Sequence, residues 1–232
     1  MKTLLAIPGR AARLLLLCLS LSLPCSAEPG PDFDRVAADL FWHQLYPAGG
    51  YTLYCGYKFA GNRKTASGLS IDIEHIYPVS RMATYSGCEN RMQCRESGHA
   101  VFMQMEADLH NLYPAWQSLI TYKYDLDFGL VAGEDWRFDD CDIEWREGVM
   151  EPRTIARGNI ARSMLYMHAT YNIPIDPATL ALYRAWNSID PPSRQDQARN
   201  DIIERLQGRR NPYIDRPELA DQRKLTMSNT PR

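Results

Sequence analysis

Ser70-Ile71-Asp72-Ile73-Glu74-His75-Ile76-Tyr77-Pro78 is the stretch around which the chain is organised. Leu69, Ile71 and Ile73 alternate with Ser70, Asp72 and Glu74, the period of a half-buried strand. Consecutive strand side chains point to opposite faces. Glu74 and His75 therefore serve one site only if the strand bends or ends there. Pro78 cannot donate to a sheet ladder and favours such an end. A carboxylate beside an imidazole offers a hard oxygen ligand for Mg²⁺ and a base that titrates near neutral pH. A lone Glu-His pair is more often a surface accident, so the weight comes from residues farther along the chain.

Downstream, residues 79–100 read as a long irregular region holding Arg81, Arg91 and Arg95. Cys88 and Cys94 lie close enough in sequence to clip one loop, which leaves Cys55 for Cys141. An even count of cysteines in an exported chain reads as disulfides, although four cysteines allow three pairings. A zinc site is the competing reading, but no Cys-x-x-Cys spacing is present. A stapled loop rich in arginine suits phosphate, because the planar guanidinium fork matches two oxygens. A short helix is expected over 101–109, carrying Glu106 and Asp108, and a second short strand over 110–113. Pro114 then opens a helix over 115–125, with Trp116, Ile120 and Tyr124 as its apolar stripe and Gln117, Thr121 and Asp125 beside it.

Further out, an amphipathic helix is expected over 32–42 and ends at Gly49-Gly50. Residues 51–60 have strand-like spacing, and Gly61-Asn62 turns the chain. Lys58, Arg63 and Lys64 on this loop can touch phosphates or simply be solvated. A strand over 136–145 contains Cys141, and Glu151-Pro152 begins a helix that runs to Tyr171. Asp176-Pro177 reads as a cap followed by a first-turn proline. Ser193 with Asp196 reads as a capping arrangement for a helix ending near Gly208. Asn211-Pro212-Tyr213 is an ordered turn, and the C-terminal third is mainly helical scaffold.

Lys2, Arg10 and Arg13 precede the apolar run of residues 14–23, and Pro24-Cys25-Ser26-Ala27 supplies small residues for a peptidase. This reads as a secretory signal peptide over 1–27, with a lipid anchor on Cys25 as the alternative. The apolar run is too short to span a bilayer as a stable helix. The segment carries three basic residues and no acidic one, so the net charge of −2 becomes −5 without it. An acidic chain of this kind must meet nucleic acid through a local basic patch, because its overall field does not help. The remainder suits one domain over 28–220 followed by a polar tail over 221–232.

A strand ending in Glu74-His75, a long loop, a second strand with Asn111 and a following helix make a ββα unit over about 69–125. The chain resembles the bacterial endonuclease I family, exported non-specific nucleases of the ββα-metal (His-Me finger) superfamily. The resemblance is carried by Tyr54-Cys55-Gly56-Tyr57, Ile73-Glu74-His75-Ile76-Tyr77-Pro78 and Met105-Glu106-Ala107-Asp108-Leu109-His110-Asn111-Leu112-Tyr113-Pro114. It continues through Glu151-Pro152, Arg157-Gly158-Asn159-Ile160-Ala161-Arg162, Tyr166-Met167, Ala185-Trp186-Asn187, Gln207-Gly208 and Asn211-Pro212-Tyr213. It implies an α+β fold: a disulfide-clipped ββα-metal core with a mainly helical surround.

The resemblance also implies roles. His75 is the general base toward the attacking water, and Glu74 holds one divalent cation, Mg²⁺ or else Mn²⁺ or Ca²⁺. Arg91 neutralises charge on the phosphate; Arg95 in the same loop and Lys58 are further candidate phosphate contacts from their place in the sequence alone. Asn111 pins the loop that positions His75, and Glu106 acts behind these groups. The implied substrates are DNA and RNA held through the phosphate backbone and cut to 5′-phosphate ends by a monomer in the periplasm or outside the cell. Weak sequence preference is implied too, since such a site addresses phosphate and not base edges.

One position departs from the family pattern. Ungapped counting from Asn111 puts Ile120 where a metal-binding asparagine is usual, and Lys123-Tyr124-Asp125 where later polar residues stand. Gln117 is the expected substitute ligand, with Thr121 as a second candidate. The departure motivates an alternative, a nuclease-derived protein that binds nucleic acid without cutting it. A secreted thiol hydrolase with a Cys-His pair is a third reading, which pairing of all four cysteines excludes.

Overall fold

The computed structural model describes residues 30–136, 138 and 140–222. The expected signal peptide and most of the expected tail lie outside these residues. The fold is α+β, with three small sheets set among helices and two disulfides among the described residues. Among the described residues no helix is long and apolar enough to cross a membrane.

Asp32 caps α1 (Phe33–Arg35), which runs on into a π-helical stretch (Val36–Leu45). This is longer and wider than the helix expected over 32–42. It buries Phe41, Trp42 and Leu45. Strands β1 (Gly49–Tyr51) and β2 (Lys58–Ala60) form an antiparallel hairpin. Gly49 and Gly50 therefore belong to a strand, where a Cβ on Gly49 would sit 2.1 Å from the Phe59 carbonyl oxygen.

Strand β3 (Ile71–His75) pairs antiparallel with β4 (Leu112–Trp116), with Glu74 opposite Tyr113 and His75 opposite Leu112. Between them lie α2 (Val79–Tyr85), α3 (Arg91–Glu96), α4 (Ala100–Glu106) and a 3₁₀ turn (Leu109–Asn111). The region expected to be irregular is thus mostly helical, with Asn90 and His99 supplying side-chain caps.

Helix α5 (Gln117–Lys123) follows β4 directly and packs on β3. Here the expectation of a helix opened by Pro114 is overturned. Pro114 lies inside β4 opposite Ile73, a position tolerated in a two-stranded sheet with open edges. The apolar stripe is also corrected. Leu119 and Lys123 face inward, Ile120 is half-buried and Tyr124 is exposed. A lysine at a core position defeats a pattern based on hydrophobicity.

The third sheet has the order β5 (Asp127–Phe128), β7 (Val149–Pro152), β6 (Ile143–Arg146). Glu151-Pro152 ends a strand and does not open the helix. The expected strand over 136–145 is confined to β6, because Cys141 is held in an isolated bridge and a disulfide to Cys55. Helix α6 (Thr154–Tyr171) runs through the main core with Ile160, Met164, Leu165 and Met167 buried. It crosses α7 (Pro177–Ile189) closely at Gly158, where a Cβ would meet the Asp190 carbonyl oxygen at 1.9 Å. Asp176 caps α7 and Pro177 opens it. Ser193 and Asp196 make a full capping box for α8 (Arg194–Gln207), which stops at Gly208 with φ +74°. The short α9 (Pro212–Asp215) and α10 (Leu219–Gln222) complete the described chain.

Candidate active site

Strand β3 delivers Glu74 and His75 to one cleft of about 900 Å³, also lined by Phe33, Arg63, Arg91 and Ile120. His75 is the last residue of β3, and the chain turns away at Ile76. Asn111 fixes that turn. Its Oδ1 accepts the Tyr77 N–H at 2.7 Å, its Nδ2 donates to the Tyr77 carbonyl at 3.1 Å, and its carbonyl accepts the Ile76 N–H at 3.0 Å. The side chain thus mimics a strand partner for the segment after His75.

His75 Nε2 lies 2.9 Å from the Glu106 carbonyl oxygen. A carbonyl only accepts, so Nε2 carries the proton and Nδ1 keeps its lone pair. Phe33 packs against the ring at a centroid distance of 5.0 Å. Burial lowers the His75 pKa to about 3, aided by the positive charges of Arg91, Lys123 and Arg95 and opposed by the Glu106 carbonyl. The imidazole is therefore neutral at neutral pH and has proton-accepting capacity.

Glu106 organises the arginines as well. Its carboxylate is 2% exposed and receives Arg91 Nε at 2.5 Å and Arg95 Nε at 2.9 Å. Both guanidinium groups also lie over the Phe33 ring, at 5.1 and 5.5 Å. Arg91 lines the cleft with its side chain 45% exposed, so its remaining N–H groups are open to an anion. Arg95 turns toward Asp34 and does not line the cleft. Lys58 is exposed on β2 and also falls outside the cleft; Arg63 lines it instead, with its guanidinium over Trp42.

Glu74 is buried and its Oε1 is doubly engaged, by the Tyr54 hydroxyl at 2.9 Å and Lys123 Nζ at 2.8 Å. Lys123 is 1% exposed and lies over Phe128. Oε2 has no hydrogen-bond partner among the described residues. Gln117 is exposed at the start of α5, its N–H bonded to the Ser70 carbonyl at the far end of β3. It is six residues before Lys123, about 9 Å of helix rise, and does not line the cleft. The structure therefore does not bring Gln117 to Glu74. Thr121 bonds back to the Gln117 carbonyl and is exposed. Ile120 does line the cleft and offers no donor. These residues fit a hard cation held by one carboxylate oxygen and otherwise by solvent and substrate, an arrangement Mg²⁺ accepts.

Two side chains of the site go beyond what the sequence pattern reveals. Lys123 belongs to a polar face by composition, yet it is buried against Glu74. Tyr54 lies in the Tyr-Cys-Gly-Tyr stretch, next to the disulfide Cys55–Cys141. The second disulfide, Cys88–Cys94, closes the loop on which Arg91 sits. All four cysteines outside the first 27 residues are paired, which removes the Cys-His thiol reading.

The model of one family, Endonuclease I, matches residues 28–218. The chain belongs to the endonuclease I family. A periplasmic deoxyribonuclease of Aeromonas hydrophila is 31% identical over 235 residues, covering 90% of this chain and 98% of that protein. An extracellular deoxyribonuclease of the same organism is 31% identical over 227 residues, covering 88% and 97%. An extracellular ribonuclease of Bacillus amyloliquefaciens is 29% identical over 134 residues, covering 50% and 45%. For an endonuclease I family member, the cleft holding His75, Glu74 and Arg91 is the candidate active site.

Proposed function

We propose that the chain is an exported endonuclease that hydrolyses phosphodiester bonds of DNA, and of RNA, without sequence preference and with the help of one divalent cation. As a member of its family it is a nuclease, and it works in the periplasm or outside the cell. The single observation that carries the catalytic reading is the 2.9 Å contact of His75 Nε2 with the Glu106 carbonyl oxygen: a carbonyl only accepts, so the proton sits on Nε2 and the Nδ1 lone pair is the base offered by a residue that lines the cleft.

His75 Nδ1 takes the proton from water as that water attacks phosphorus. Arg91 places its free guanidinium N–H groups on the non-bridging oxygens, where charge grows as the phosphorus becomes five-coordinate. Glu106 holds Arg91 and, through its backbone, His75, so that base and anion clamp keep one spacing. Asn111 keeps the chain after His75 from drifting. Tyr54 and Lys123 hold Glu74 by one oxygen, which leaves Oε2 as the donor toward the cation. That cation, when bound, supplies Lewis-acid stabilisation of the departing 3′ oxygen. Cleavage on that side leaves a 5′-phosphate. The cleft side chains address phosphate and metal and not base edges, which supports weak base preference.

Ile120 and the Glu74–Lys123 pair favour one other reading, a binding protein with the catalytic centre silenced. Nicking of supercoiled plasmid separates the two. The expected result is Mg²⁺-supported nicking, abolished by chelator, with product ends that a ligase accepts. DNA binding in a gel shift without chelator-sensitive nicking would replace the enzyme by the silent binder.

A further inference from the structure

A second group of carboxylates lies away from the cleft, where the segment between β5 and β6 folds onto the third sheet. One oxygen from each of Glu134, Asp142 and Glu144 lies within 4.8 Å of the others. Glu144 is 4% exposed, and its Oε1 is buried with no hydrogen-bond partner. Among the described residues no ion pair engages any of the three. Glu151, which faces Glu144 across the β6–β7 pair, is already bound to Arg157 and accepts the Val131 N–H. A buried carboxylate with no partner among like charges is costly, and native chains relieve that cost with a cation.

We infer that Glu134, Asp142 and Glu144 form a structural site for a hard divalent cation, Ca²⁺ above all. The donors are all oxygens, which suits Ca²⁺ and not soft metals. The three oxygens lie within 4.8 Å of one another, so one ion can reach all of them, and Ca²⁺ accepts such a shell, completed by solvent, with looser geometry than the strict octahedron of Mg²⁺. Glu134 is exposed, so an ion has a path in. The site ties the β5–β6 segment to β6. That segment carries Cys141, whose disulfide partner Cys55 follows Tyr54, the donor to Glu74. The inference stands apart from the catalytic reading and survives if that reading fails.

The test uses the chelator-treated exported protein with Ca²⁺ alone and with Tb³⁺ as a luminescent substitute excited through Trp145, the neighbour of Glu144. Saturable Tb³⁺ luminescence is expected, displaced by Ca²⁺ with an affinity on the order of 10⁻⁴–10⁻³ M. At 10 mM Ca²⁺, chosen to exceed that affinity roughly tenfold or more, Tm should rise by about 4 °C. Glu144→Gln should weaken both responses at least tenfold while leaving the ion-free Tm equal to the parent's or higher, because a neutral amide relieves the repulsion. Asp142→Asn should weaken them as well, and Glu74→Ala should leave them intact. Three outcomes overturn the inference: responses lost in Glu74→Ala but kept in Glu144→Gln, which puts the ion in the cleft; a non-saturating response shared by every variant, which is mere charge screening; and no response at all.

Discussion

Glu106 and Asp108 stand two residues apart and face opposite halves of the molecule with the same apparatus. On the cleft side, the buried Glu106 carboxylate gathers Arg91 and Arg95, and an imidazole, His75, donates Nε2–H to a carbonyl oxygen. On the helical side, the buried Asp108 carboxylate gathers Tyr166, Tyr171 and Gln207, and an imidazole, His110, donates Nε2–H to the Arg209 carbonyl. Burial depresses both histidines, to about 3 and about 4. The difference is where the apparatus ends. Arg91 and His75 open onto the cleft, whereas the Asp108 carboxylate is held by Tyr166 and Tyr171 of α6, Gln207 of α8 and the His110 N–H, none of which lines the cleft. Buried polar networks of one design thus serve chemistry on one face and rigidity on the other.

The sharpest way to break this contrast is to delete each imidazole. His75→Ala should slow plasmid nicking by about 10³-fold, within the usual range for a lost general base, and leave Tm nearly unchanged. His110→Ala should do the reverse, keeping the rate per folded molecule within about threefold while lowering Tm. If His75→Ala retained more than about a tenth of the rate, its assignment as the base would be lost.

The two carboxylates offer the next comparison. Glu106→Gln should cost about 100-fold in nicking, because Arg91 and Arg95 lose their shared anchor, and only about 1 kcal/mol in stability, since Arg91 can be resolvated. Asp108→Asn should cost about 3 kcal/mol, because an amide N–H₂ then faces donors, and should spare the rate. Urea unfolding and nicking on the same samples decide it. Equal loss of stability in both variants would erase the distinction between the faces.

A pH series sharpens the helical side. The folded His110 pKa lies below its ordinary value of 6.5, at about 4, so the unfolded chain takes the proton first as pH falls. Stability is then fully present above about pH 6.5 and declines toward pH 4, by about 2.5 kcal/mol at pH 4.5 from this group alone. Urea midpoints at pH 7 and pH 4.5 should show that loss on top of a comparable one from the buried His75, and His110→Gln should remove the His110 share, roughly half of the two together. An unchanged slope would mean that His110 is not held neutral by the fold.

Much of this is legible in the sequence, and the rest is hidden for definite physical reasons. Strand β3 shows its period and its end, and the caps at Asp176 and Ser193 are written in single side chains. Local chemistry of that kind is visible without tertiary structure. Which of two histidines serves the cleft is decided by exposure, and exposure is not local. Lysines usually face outward, yet the buried charge of Glu74 draws Lys123 in. Gln117 fails as a ligand for a related reason: Pro114 stays in the strand, so the helix starts later and Gln117 lands at the far end of β3.

The smallest effect concerns the clip that holds the cleft side together. Cys88–Cys94 closes a loop of only six residues' separation, whereas Cys55–Cys141 spans 86. Loop-closure entropy then assigns about 2 kcal/mol to the short bridge and about 4.5 kcal/mol to the long one. A Cys88→Ser/Cys94→Ser protein should therefore stay folded at 25 °C. Its nicking rate should nonetheless fall several-fold, because Asn90 caps and Arg91 begins α3 inside the freed loop and Arg91 must now be ordered by Glu106 and the Phe33 ring alone. The loss should appear in the rate at saturating DNA more than in DNA affinity, since the clip places a charge already present. A double variant that nicks at the parent rate would show that Glu106 suffices to hold Arg91, and that the bridge protects the fold and not the site.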